Sequence, residues 1–520
     1  MSLEKNTNKL SFLAKTSLII GIFFGLDKVL AFARSIIIAR QFSLSFELDA
    51  FNVANNLPDL LFALISGGAL SMAFIPVLTQ TLTLKGRDAT WKLFSRIANL
   101  AFVVTAGTAL IIAIFAEQIV GAEIGIAPGF GPEQQHLIAE LMRLNLIATL
   151  IFSISGLVIG GLQANQHFIL PALAPSLYNV GMIFGALVLS PTEPYQIGPV
   201  TLPALGYGVH GLVYGVIIGA ALHLGIQIPG LIKYKFKWTP SINLRDHDVR
   251  EVLKIIGPRL LTMFAIQLMF IARDNFASRL DQVGAISALT YGWMTMQVPE
   301  TLLGTAIATA MLPTLSEFAA REDWHSFRLA IEKALRVLIS LTLPVAAVIA
   351  AGIHPLVRAA FGFDEAGSTL LTWTTRVYLL TLCGFSIQEI AARSFYARKE
   401  AWWPFFGVVI RFVIYITLGV IALIAFSNIG APAIAFAEVA LTIEAILMFI
   451  WLSRKMHEPL QVNGALLRGL ASALIGGVTA YGLAVIVPGS AVMTALLGMV
   501  VGGLVALPII WSEIKLLLKL

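Results

Sequence analysis

The 520-residue chain is 58% hydrophobic and only 12% charged, with a mean hydropathy of +0.86, where an ordinary soluble domain carries about 25% charged residues. Such a composition excludes a soluble enzyme and predicts an all-α polytopic membrane protein. The net charge of +6 reads as cytoplasmic anchoring rather than as a nucleic-acid surface, and Cys383, the single cysteine, excludes an intramolecular disulfide.

Polar residues 1–10 run into an apolar stretch too long for a signal-peptide core, which predicts a retained first helix over 11–40. Taking about twenty apolar residues per crossing, about fourteen helices follow. Five more are expected in the first half, over 49–80, 91–118, 134–161, 168–190 and 203–232. Eight follow over 251–278, 284–316, 327–360, 369–397, 402–427, 431–453, 464–487 and 490–512. With the N-terminus inside, the inner segments collect Lys5, Lys9, Lys85, Arg87, Lys92, Lys233, Lys235, Lys237, Arg398, Lys399, Lys455 and Lys519. The outer segments hold little beyond Arg40, Arg279 and Arg358, so both termini are expected in the cytoplasm. Outer loops such as EQIVGAEIGIAPGFGPEQQ and SPTEPYQIGPVTLP are too short to house a catalytic domain.

The halves resemble each other. GGLQANQHFILPALAP (160–175) aligns with ARSFYARKEAWWPFFG (392–407), and GVHGLVYGVIIGAALHLGIQIPGLIK aligns with GAPAIAFAEVALTIEAILMFIWLSRK. Pro58 and Pro76 likewise match Pro299 and Pro313. The expected organisation is a six-helix lobe over 1–237, a second over 238–458, and two added helices over 459–520. A duplicated unit with an even number of crossings keeps its orientation, so the lobes are related by an axis along the membrane normal, an arrangement suited to alternating access.

Charges interrupt the first span in FFGLDKVLAFARSIIIAR (23–40). Each ionised side chain at a helix centre costs roughly 2.5–3.5 kcal/mol on insertion, so these must be hidden from lipid. Asp27 and Arg34 share a helical face, and Lys28 lies one step round. Either they neutralise one another, or a cation remains free for an anionic substrate, since one carboxylate cannot neutralise two cations. Arg143 and Asn145 in the fourth span are further candidates, although Arg143 can snorkel outward. A second charged set comprises Arg273, Asp274, Arg376, Glu389, Arg393, Arg411, Glu438 and Glu444. Glu389 and Arg393 have the spacing of a helical pair. Asp274, Glu389 or Glu438 is the place for a coupling cation, if one binds. Pro58, Pro76, Pro299 and Pro313, with Gly67 and Gly68, mark bends or close helix contacts. His136, His167, His210 and His354 are scattered, and no motif supports catalysis or a metal centre.

DKVLAFARSIIIARQF, LDAFNVANNLPDLLFALISGGALSMAFIPVLTQ and MQVPETLLGTAIATAMLPTLSE together resemble the MurJ (MviN) lipid II flippases of the multidrug/oligosaccharidyl-lipid/polysaccharide exporter superfamily. The resemblance implies translocation of undecaprenyl-pyrophosphate-linked peptidoglycan precursor to the outer leaflet of the bacterial plasma membrane. It implies no cofactor, coupling to membrane potential or sodium, a last helix pair that shapes a lipid-tail groove, and a chain acting as a monomer. Arg34 matches the arginine of the family's FAR motif, Lys28 stands where an arginine is common, and Asp49 matches the DAF aspartate. Phe62 and Ala63 replace an arginine pair, Trp293 and Met294 replace an acidic-arginine pair, and Ser35 replaces an aspartate. Expected substrate-binding residues are therefore Lys28, Arg34, Asp49 and Arg143, with Asp27, Asp274 and Glu389 in ion-pairing or coupling roles. The expected partners are lipid II or a related polyprenyl-pyrophosphate glycan, and the membrane. Rival readings are an exporter of another lipid-linked oligosaccharide, a cation-coupled drug exporter, a membrane glycosyltransferase and a scaffold for cell-wall enzymes.

Overall fold

A computed structural model describes residues 2–65, 68–400, 402–456 and 460–517, with side chains described except at 2–21, 65, 68–73, 197, 255–259, 455 and 517. Gly67 and Lys519 lie outside the described residues, as do the side chains of Lys5, Lys9 and Lys455. The chain is almost wholly helical, and by packing it forms two compact units. The first comprises residues 1–42 and 46–267, the second residues 43–45 and 268–520. The division falls inside a helix, later than the expected lobe boundary at 237/238, and the last two helices belong to the second unit instead of standing apart.

In the first unit lie α1 (Ser2–Phe42), α2 (Phe46–Ala54), α3 (Asn56–Ile65), α4 (Gly68–Ile114), α5 (Ala116–Gly121), α6 (Pro132–Ala164) and α7 (Ile169–Phe184). A π-helical turn over Gly185–Leu189 and a small hairpin follow. The hairpin pairs β1 (Tyr195–Ile197) antiparallel with β2 (Val200–Leu202), Tyr195 opposite Leu202. The unit continues with α8 (Val209–Gly225), α9 (Ile228–Lys233) and most of α10 (His247–Ser278). Its core gathers Phe74, Trp91 and Phe94 against Leu157 and Leu162.

The second unit holds the end of α10, then α11 (Ala285–Glu300), a π-helical turn over Thr301–Thr305, α12 (Ala306–Ala320), α13 (Trp324–Phe361) and α14 (Glu365–Leu380). It is completed by α15 (Leu382–Ala397), α16 (Trp402–Ala425), α17 (Ala431–Phe436), α18 (Val439–Met456), α19 (Asn463–Ile486) and α20 (Ala491–Leu517). Its core gathers Phe327, Leu338, Phe395 and Met448.

Eleven helices among the described residues are long and apolar enough to cross a bilayer, or twelve if the bent pair α14 and α15 is one span, fewer than the expected fourteen. The count covers only part of two expected spans. Of the first, over 11–40, side chains are described only from residue 22 onward, and that part holds Asp27, Lys28, Arg34 and Arg40. The other is α4, in which 74–114 registers as one span. A continuous helix of that length would be roughly 60 Å, twice a hydrocarbon core. It is broken at Gly86, where φ is 80°, a conformation glycine adopts at little cost. That break falls in the expected inner turn after the second span.

The duplication is written in the backbone. After α6 and after α15 the chain turns through Gln166 and Lys399, each with φ of 59°. Both turns close in the same way: His167 N–H donates to Leu162 O and Glu400 N–H to Phe395 O, each at 2.9 Å. This is a Schellman ending built without glycine. Gly208 and Gly430, the first residues of the other aligned pair, both precede a helix with positive φ and ψ near −140°. A side chain is strongly disfavoured there.

Close helix contact rests on small residues. A methyl group on Gly181 of α7 would lie 2.3 Å from the Gly219 Cα of α8, and one on Gly185 would lie 2.6 Å from the Gly215 Cα. These glycines hold α7 against α8 at backbone distance, which fixes the height and rotation of α7. A larger residue at Gly181 would push it off.

Outside the crossing part of α10, Lys85 Nζ donates to the Asp248 carboxylate at 2.6 Å, and Arg96 bonds Asp246. The Lys85 hydrogen bond holds Asp248 below the usual carboxylate range. Since the folded-state value is the depressed one, the contribution is present at neutral pH and is lost as pH falls through that value. Acidification is therefore expected to raise hydrogen exchange at the start of α10, and Asp248→Asn to show the raised exchange already at neutral pH.

Candidate anion-binding site

The first unit answers the question raised by the charges of α1 with a residue from another helix. Asn179 of α7 stands between Asp27 and Arg34. Arg34 Nη1 donates to Asn179 Oδ1 at 2.8 Å, while Asn179 Nδ2 donates to Asp27 Oδ1 at 2.8 Å. Only one orientation of the amide satisfies both neighbours, because a guanidinium offers only donors and a carboxylate only acceptors. Asp27 and Arg34 thus share a face, as the spacing predicts, but form no direct ion pair among the described residues. The amide keeps opposite charges joined and apart.

Arg34 is fixed from one side only. Nη1 also meets Met182 Sδ at 3.5 Å, and the guanidinium lies over the Tyr178 ring, 5.8 Å from its centroid. Nε and Nη2 make no hydrogen bond among the described residues, leaving an edge of the fork for an anion. Behind Tyr178 stands Phe152, at 5.3 Å between ring centroids, and behind Phe152 stands Phe62, at 5.2 Å. Phe62 therefore props the ring on which Arg34 rests. Asp59 of α3 acts electrostatically on Arg34 as well.

The other expected ligands part company. Lys28 is exposed and has no ion-pair partner among the described residues. Asp49 is buried in α2 rather than displayed to a ligand. Arg143 donates to Ala113 O at 3.0 Å and pairs with Glu117 at 3.4 Å, so it ties the end of α4 to the start of α5 instead of joining Arg34. Asn145, next to it in the expected cavity set, is buried and donates to Asn55 Oδ1 at 3.0 Å.

In the second unit the acids are closed by arginines. Arg273 Nε donates to Asp274 at 2.8 Å, Arg393 bonds Glu389 one turn away, and Arg411 bonds Glu438. Arg411 lies a further 3.8 Å from Glu444, whose other oxygen accepts from Gln388 at 3.3 Å. Arg376 donates to Ala350 O at 2.8 Å. Trp293 packs against Phe270, Tyr378 and Phe385. Sequence reasoning missed Glu300, buried at the start of the π-helical turn, where Thr305 Oγ1 donates to it at 2.9 Å. It also missed Asn179, although an asparagine within LYNVGMIFGALVL was a legible signal. One trio, His247, Asp248 and Glu251, of which only His247 is exposed, has ligand atoms within 4.8 Å of one another, but Asp248 is already committed to Lys85.

Two helical units rich in spans apolar enough to cross a bilayer, with a guanidinium only half engaged in the first, define a polytopic membrane protein. A family model for lipid II flippase MurJ matches residues 38–501. Lipid II flippase MurJ of Burkholderia cenocepacia is 30% identical over 451 residues, covering 84% of this chain and 83% of that protein. The probable lipid II flippase MurJ of Thermotoga maritima is 26% identical over 465 residues, covering 88% of each. Among solved structures, lipid II flippase MurJ in an inward closed conformation superposes with a TM-score of 0.75 at 21% identity, over 96% of this chain and 98% of that one. An inward-facing MATE family multidrug transporter gives 0.68 at 14% identity, over 83% and 94%. The chain belongs to the lipid II flippase MurJ family.

Removing the cation from a buried pair leaves an uncompensated carboxylate, at a cost of about 3–5 kcal/mol. Arg411→Met is therefore expected to lower the temperature at which the detergent-solubilised protein unfolds. Arg411→Met combined with Glu438→Gln and Glu444→Gln, which neutralise both acids that Arg411 faces, is expected to recover most of the loss, which a heat-unfolding series would register.

Proposed function

We propose that this chain flips lipid II, the undecaprenyl-pyrophosphate-linked peptidoglycan precursor, from the inner to the outer leaflet of the bacterial plasma membrane in cell-wall biosynthesis. Both termini are cytoplasmic, the two units alternate access to the substrate, and the chain works as a monomer, with its anion site built wholly from α1 and α7. Membership of the flippase family supports this reading, and the half-engaged Arg34 is the observation that carries it. A diphosphate crossing an apolar layer needs fixed positive charge, and Arg34 offers Nε and Nη2 in the planar geometry a phosphate accepts.

Asn179 has a part in this chemistry. It keeps Asp27 from closing on Arg34, so the cation stays available while both remain hydrogen-bonded. Carboxylates in the membrane are otherwise costly, and here Asp27 balances Arg34 when no substrate is bound.

A sodium ion does not fit the acids expected to hold it. Asp274, Glu389 and Glu438 each carry a guanidinium, which the ion would have to displace. Membrane potential suffices in sign: moving one negative charge outward across an inside-negative membrane gains about 2.3 kcal/mol per 100 mV.

The test is rescue of cells depleted of their own flippase. Wild-type protein is expected to prevent lysis, and Arg34→Ala and Asn179→Asp, at normal membrane levels, to fail, the latter because a new carboxylate closes the guanidinium. Arg143→Gln is expected to rescue. Lysis with well-inserted wild-type protein would overturn the lipid II assignment, and rescue by Arg34→Ala would overturn the role of the site.

A further inference from the structure

A second cationic site stands in the second unit, where α13, α19 and α20 meet. Glu513 of α20 is buried and accepts from two arginines: Arg336 Nε of α13 at 3.0 Å and Nη2 at 3.1 Å, and Arg468 Nη1 of α19 at 2.5 Å. Arg468 Nη1 also donates to Ser512 Oγ at 2.7 Å. One carboxylate thus fixes two guanidiniums and neutralises one. The arginine side chains remain 33% and 44% exposed, against 1% for the glutamate, so the excess charge faces outward. Arg336 Nη1 and Arg468 Nε and Nη2 make no hydrogen bond among the described residues. Two forks locked by a shared acid, with donors to spare, form a receptor for a phosphate oxygen set.

The surroundings say where that phosphate comes from. Leu467, Leu470, Leu474 and Val478 make one exposed apolar stripe along α19, and Val500, Leu504 and Trp511 make another along α20. Arg468 lies about five residues, roughly 8 Å, from the start of α19, and Glu513 about four residues, roughly 6 Å, from the end of α20. Both therefore sit at headgroup depth at one end of lipid-facing stripes. Elsewhere in this unit the intramembrane arginines Arg273 and Arg411 are buried with their acids and offer no such edge.

We propose that Arg336 and Arg468, held by Glu513, bind the phosphodiester headgroup of an anionic phospholipid whose acyl chains lie along the stripes of α19 and α20. The bound lipid completes the charge balance of this corner and ties the last two helices to α13. Basic pockets between transmembrane helices take anionic headgroups by the same physics.

The experiment follows heat unfolding of the full-length protein in detergent during titration with phosphatidylglycerol, phosphatidylcholine or inorganic phosphate. Phosphatidylglycerol is expected to raise the midpoint saturably, and the other two to leave it unchanged. In Arg468→Gln, where Arg336 still neutralises Glu513, half-saturation is expected to need about tenfold more phosphatidylglycerol. Arg468→Lys keeps the charge without the fork and serves if the glutamine variant does not fold; its half-saturation is expected to fall between the two. An unchanged titration in the folded variants, or an equal response to phosphatidylcholine, overturns the site. An equal response to inorganic phosphate overturns its assignment to a lipid.

Discussion

A charged side chain inside an apolar layer has no water to fall back on, so every one must be met by a partner from within the protein. That constraint organises this molecule more than any single motif. It decides which helices must lie side by side, and it separates charges that merely hold the structure from charges kept for use. The two units meet it differently. In the second, Asp274, Glu389 and Glu438 are each met by an arginine, and the result is closed. In the first, Asp27 and Arg34 are met by a neutral amide, and the result stays open.

The difference between an amide and an ion pair is the difference between a poised cation and a spent one. A direct Asp27 to Arg34 pair would be strong at low dielectric, and an incoming diphosphate would have to break it. Asn179 gives each charge one hydrogen bond without letting them collapse together. Its position depends in turn on α7 being held against α8 through Gly181, Gly185, Gly215 and Gly219, where backbone meets backbone. The placing of a polar group in the site is thus set by residues with no side chain at all.

Much of the fold was legible from sequence, because a bilayer imposes length and hydropathy directly. The class, the family and the duplication were read from apolar runs and repeated turns, and the matched φ values at Gln166 and Lys399 agree with an alignment of residues that differ in type. What escaped was pairing across helices. Arg143 was a further candidate beside Arg34, able to snorkel outward, and it ends on Glu117, a partner no spacing rule within one helix could supply. Asn179 escaped for the converse reason, since attention to charged residues passed over a neutral one. The span count is lower where part of the first expected span lies outside the described residues and where 74–114, broken at Gly86, registers as one span.

Phe62 and Trp293 carry the synthesis furthest. Each stands where the resemblance to the family leads one to expect a charged residue, and each is built into an aromatic stack: Phe62 through Phe152 to Tyr178, Trp293 among Phe270, Tyr378 and Phe385. Replacing a membrane-buried charge by a ring removes a desolvation cost and a counter-ion requirement together. It also concentrates what remains. Phe62 supports the ring beneath Arg34 and so contributes as a wall rather than as a charge. Positive charge in the first unit's interior then depends on Arg34, with Lys28 exposed on the same helix. A site with fewer cations releases an anion more readily, so long as the remaining cation is well placed, and the amide of Asn179 and the face of Tyr178 provide that placement.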